Sequence, residues 1–102
     1  METRNTKAML DYRLNVKGVY GRNRKVKFQS VRLALVPPDA PKAVNDLVEL
    51  ADAKLREIRV KSALIRIEEQ PIEVTEYDYE GRTITTETYA IFSGRTLYKR
   101  TI

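Results

Sequence analysis

The chain has no cysteine, no histidine and no tryptophan among its 102 residues. Without cysteine there is no disulfide, no thiol nucleophile and no thiolate metal site. Without histidine, the side chain most used for proton transfer and zinc ligation is missing. Glycine is scarce, and Gly18, Gly21, Gly81 and Gly94 match neither nucleotide-binding spacing. Ser30, Ser62 and Ser93 have no histidine to activate them, so a Ser-His-Asp arrangement is excluded. No apolar run approaches the roughly 18 residues of a spanning helix. Met1-Glu2-Thr3-Arg4-Asn5 leads into no apolar stretch of the secretory kind, so the expected compartment is the cytoplasm.

What is present is charge, unevenly placed. Residues 1–36 carry nine Lys or Arg against two Asp or Glu, a balance of +7. Residues 71–92 carry one against five, a balance of −4. Either the two regions neutralise each other, within the fold or between two copies of the chain, or the basic third attracts phosphate or an acidic partner. Four Asn and two Gln beside abundant Lys, Arg and Glu lean toward a hot habitat.

The pattern predicts one α+β domain over residues 1–102, ordered ββαβββ with room for a short sixth strand. Residues 1–9 are polar and aperiodic and are expected to fray. Leu10, Tyr12, Leu14, Val16 and Tyr20 alternate with polar residues, which predicts a half-buried strand. A second strand from Arg24 to Val36 completes a basic hairpin over 10–36. Its apolar phase slips at Ser30-Val31, where a β-bulge would keep Val26, Phe28, Val31, Leu33 and Leu35 on one buried face. Pro37-Pro38 ends the sheet, and Asp39 is a natural N-cap. Val44, Leu47, Val48, Ala51, Leu55 and Ile58 form an apolar helical stripe, predicting a helix from Ala40 to Arg56. The β-rich second half, 58–102, reads as strands 58–67, 72–80 and 84–92, the first two broken at Gln70-Pro71, with 97–102 as the sixth. Lys25–Leu35 (KVKFQSVRLAL) aligns without gaps to Glu57–Ile67 (EIRVKSALIRI), which fits either the general likeness of alternating strands or a duplicated β-rich unit with a groove between its halves.

With no catalytic constellation, the leading expectation is a non-enzymatic module that binds protein and needs no cofactor and no metal. Glu76, Asp78 and Glu80 share a strand face and read as a solvated edge. Thr83–Tyr89 has little charge to repel a visiting strand, so an extended peptide could add there or in the groove. Tyr77, Tyr79, Thr86 and Tyr89 are the candidate contacts. The alternative is nucleic-acid binding by the first hairpin. Tyr20 would stack on a base while Arg22, Arg24, Lys25 and Lys27 hold phosphates. No contact with a membrane is expected.

In size, in missing Cys, His and Trp, and in abundant charge, the chain resembles small orphan proteins of filamentous viruses that infect hyperthermophilic archaea. The resemblance is compositional and spans the whole chain. It carries no signature residue, so it implies no site residue.

Overall fold

The computed structural model describes residues 3–19, 26–60, 62–91 and 93–102. Five strands and one helix follow in the order β1 (Thr3–Val19), β2 (Val26–Val36), α1 (Val44–Ile58), β3 (Ser62–Tyr79), β4 (Arg82–Tyr89) and β5 (Arg95–Thr101). They form one α+β domain with an antiparallel, curled sheet. The path is β2-β1-β3-β4, and β5 also pairs with β3. β3 has 18 residues, long enough to run the 54 Å length of the molecule. β1 lines one side of it from Val19↔Ser62 to Thr3↔Asp78. On its other side β5 covers Leu64–Glu69 and β4 covers Ile72–Tyr79.

The helix covers one face of this sheet. Tyr12, Leu14 and Val16 of β1 and Ala63, Ile65 and Ile67 of β3 meet Leu47, Ala51 and Leu55 of α1 in the core. This is the stripe that the helical spacing predicts, with Val48 and Ile58 at its margin. Tyr12 is fully buried, and its hydroxyl has two partners. It donates to Glu69 Oε2 at 2.7 Å and accepts from the Lys42 backbone N–H at 3.2 Å. Gly18 lets β1 approach β3 closely, since a Cβ there would lie 2.6 Å from the Ala63 Cβ and 2.7 Å from the Ser62 carbonyl oxygen.

Several sequence boundaries shift. The segment expected to fray begins β1 at Thr3. The helix starts four residues later than expected, with Ala43 at the N-cap and no side-chain cap. Residues 37–40 instead form a turn in which Ala40 N–H donates to Pro37 C=O. Gln70-Pro71 does not break the sheet: 62–67 of the strand expected at 58–67 and 72–79 of the one expected at 72–80 are parts of β3, while Ile58 closes the helix and Glu80 belongs to a turn. The Pro71 carbonyl accepts from Ala90 N–H at 3.2 Å, so it faces the outer edge. In an extended strand a residue's N and C=O face the same side, so the missing proline donor also faces outward. That position lies between the end of β4 and the start of β5, where little pairing is lost. The expected sixth strand is β5. The β3–β4 turn is Glu80-Gly81, both at positive φ (51° and 72°), the geometry of a two-residue hairpin loop.

The bulge also moves. In the β1–β2 register Tyr12 pairs with Ala34 and Arg13 with Arg32, so Leu33 is the extra residue. Leu33 and Ala34 both pack against the core. At Val26 and Phe28 the phase is the reverse of the one expected. Val31 lies opposite Leu14 on the helix side as expected, whereas Leu35, expected on the buried face, lies opposite Asp11 on the open face. Phe28 pairs with Lys17 and turns away from the helix, 73% exposed, and Val26 is likewise exposed. Of the aligned internal segments, Val26–Phe28 is strand where Ile58 and Arg59 end the helix, so the alignment does not pair equivalent elements there.

Candidate functional site

The sheet face away from the helix, the open face, divides into a closed part and an accessible part. Paired residues of neighbouring antiparallel strands share a face, so the registers order this surface in rows. Leu35, Asp11 and Gln70 form one row, and Arg32, Arg13 and Glu68 the next. The last two rows that cross four strands are Ser30, Asn15, Arg66 and Lys99, then Phe28, Lys17, Leu64 and Thr101, and beyond them Val26 and Ser62 continue the same face.

The closed part centres on Asp11, which is fully buried. Its carboxylate accepts from Arg32 Nε at 2.8 Å, Arg13 Nε at 2.9 Å and the Tyr89 hydroxyl at 3.0 Å. Burial alone would push this carboxyl up, but the hydrogen bonds from Arg32, Tyr89 and Arg13 outweigh it and hold it below its ordinary value. Arg32 also grips Glu87 of β4 with both terminal nitrogens, at 3.1 and 2.7 Å. That fork lowers the Glu87 carboxyl. Every carboxylate in this cluster is matched by a guanidinium, as a structural clasp requires.

The accessible part is unmatched. Its two rows that cross four strands hold three cations, Lys17, Arg66 and Lys99, all exposed, and no carboxylate. Arg66 and Lys99 are directly opposite on β3 and β5, a like-charge pairing that costs stability. Neither has an ion pair among the described residues. Lys17 Nζ lies 5.3 Å from the centroid of the Phe28 ring, within cation–π range. A shallow depression of about 230 Å³ runs between these side chains, lined by Asn15, Lys17, Phe28, Leu64, Arg66 and Lys99. Asn15 and Ser30 add neutral hydrogen-bonding groups beside the ring.

The tyrosines expected at a protein contact are not gathered on one surface. Tyr77 and Tyr79 share the helix-side face of β3, with Arg4 5.7 Å from the Tyr77 ring centroid. Thr86 is on that face, opposite Thr75, whose carbonyl accepts from its hydroxyl at 3.4 Å. Tyr89 lies on the open face, tied to Asp11. Of the hairpin cations, Tyr20's neighbours Arg22, Arg24 and Lys25 lie, with Tyr20 itself, outside the described residues. Lys27 pairs with Gly18 and is exposed on the helix side, away from Phe28. Sequence reasoning missed Phe28, Lys17, Arg66 and Lys99 as a group. The one signal was the alternation of Asn15 and Lys17 with core residues, which marks their partners on β2 and β3 as open-face positions.

Among the described residues no three Asp or Glu are grouped to hold a metal. No described helix is long and apolar enough to cross a membrane. No protein-family model matches the chain, and no curated protein or solved structure is significantly similar to it.

Proposed function

We propose that this protein is a non-enzymatic nucleic-acid-binding module and that it binds through the open face at the Lys17–Lys99 end. The observation that carries the reading is the direct opposition of Arg66 and Lys99, with no carboxylate in their row or in the Lys17 row and no ion pair to either among the described residues. A fold gains nothing from that pairing, whereas a phosphate placed between the two relieves it. The cationic side chains of Lys17, Arg66 and Lys99 hold phosphates, and Phe28 offers a flat apolar surface next to them. Lys27 of β2, exposed opposite Gly18, adds a further cation at this end of the molecule.

Strand addition at β4 is the second reading, favoured by the exposure of all eight residues of Arg82–Tyr89. The Arg32–Glu87 ion pair lays the Arg32 side chain over β4 in mid-strand and obstructs a visiting strand there. Tyr89, moreover, is occupied by Asp11. The nucleic-acid reading therefore leads.

Titration of wild-type protein against a labelled oligonucleotide at increasing salt tests it. Three phosphate contacts predict a log–log slope of about −2 on a single strand. Absence of binding at about 50 mM salt removes the proposal, since phosphate contacts are strongest at low ionic strength.

A further inference from the structure

We infer that the ligand is a single strand, not a duplex, and that it crosses the sheet perpendicular to the strands with one base stacked on Phe28. This rests on the nucleic-acid reading and adds to it the form, direction and register of the ligand. Three observations carry it. First, Phe28 is 73% exposed on a regular strand, and its cation contact among the described residues is Lys17 at one side. An exposed ring flanked by a cation is the platform on which an unpaired base stacks, and a paired base inside a duplex has no free face to offer it.

Second, the cations cross the strands within two adjacent rows, Lys17 in one and Arg66 with Lys99 in the next. From β2 through β1 and β3 to β5 the rows read Phe28, Lys17, then Arg66 and Lys99. Four strands at about 4.8 Å spacing make a track of roughly 14 Å, which suits two or three nucleotides. Asn15 sits between Ser30 and Arg66 on this track, placed to meet a base edge.

Third, the track is short along the strand direction. Two residues beyond Arg66 and Asn15 lie Glu68 and Arg13, and there the clasp of Arg13, Arg32, Asp11 and Glu87 closes the face. At the other end the strip runs on to the exposed Val26 and Ser62, so it spans about three rows, roughly 14 Å, along the strands. A rod the width of a duplex could touch only its rim, while a single strand lies within it.

Fluorescence anisotropy with labelled oligo(dT), oligo(rU) and a duplex, each about 15 nucleotides long, tests this on the full chain. Both single strands should bind about tenfold or more tighter than the duplex. Phe28→Ala should weaken single-strand binding about 5- to 100-fold and leave the salt slope unchanged, since no charge is lost. Phe28→Trp should restore it. Because Phe28 is exposed, both variants are expected to fold, and circular dichroism checks that they do. Equal affinity for duplex and single strand overturns the inference. So does a Phe28→Ala variant with wild-type affinity. In either case salt-dependent binding would leave the broader nucleic-acid reading standing. Loss of all binding by wild-type protein would remove both.

Discussion

Arg32 Nη2 lies 2.7 Å from Glu87 Oε2, although the two residues belong to β2 and β4, with β1 and β3 between them in the sheet. In a flat sheet those strands would stand about 14 Å apart. The contact therefore measures how far the sheet curls toward its open face. Asp11 anchors the other side of the same guanidinium from beneath. Arg32→Ala would leave the buried Asp11 carboxylate short of a charged partner. It is expected to cost about 1.5–3 kcal/mol, read as a lowered urea midpoint. A variant as stable as wild type would show that the clasp contributes nothing.

Acid should open the same clasp. Asp11 and Glu87 are both held below their ordinary carboxyl values in the fold. The stability they contribute is complete above the unfolded-state values, near 4, and is lost as pH falls through the lower folded-state values. Thermal midpoints should be flat between about pH 6 and 8 and fall progressively below about pH 4. Glu87→Gln should be less stable at neutral pH and lose less on acidification. An identical acid profile in that variant would refute the role given to Glu87.

The core allows a paired comparison on one helix. Leu47 is fully buried, whereas Val44 is 39% exposed on the same stripe. Leu47→Ala is expected to cost about 2–5 kcal/mol. Val44→Ala should stay within about 0.5 kcal/mol of wild type. Chemical denaturation of the two variants decides whether the helix packs as described.

Gly18→Ala should destabilise by about 1–3 kcal/mol, because the added methyl meets Ala63 and the Ser62 carbonyl. Adding Ala63→Gly should return part of the loss and no more, since the carbonyl contact remains. Full recovery in the double variant would assign the whole clash to the side chain.

Much of the fold is legible in the residues, and the exceptions have physical causes. The helix stripe and the alternation of Leu10–Val16 follow directly from burial on one face. Pro71 misleads because proline normally interrupts pairing, yet here its missing donor faces the junction between β4 and β5. That junction exists only in the assembled sheet. Phe28 misleads more seriously. A bulge at Ser30-Val31 buries it and a bulge at Leu33 exposes it, and apolar pattern alone does not choose. The choice is made by Leu33 and Ala34, which both fit the core beside Tyr12. The opposition of Arg66 and Lys99 depends on the β3–β5 register, a pairing between segments about 30 residues apart that no local pattern encodes.

The most direct test of the central claim is Arg66→Glu, measured for stability and for binding in parallel. In the fold, the substitution turns an opposed like-charge pair into a complementary one with Lys99, which should raise stability by about 0.2–1 kcal/mol. At the interface it places a carboxylate where a phosphate is to bind. The account predicts a thermal midpoint at or above that of wild type, together with at least about a tenfold loss of single-strand affinity at low salt. A folded Arg66→Glu protein that binds the oligonucleotide as tightly as wild type, with the same salt slope, would contradict it.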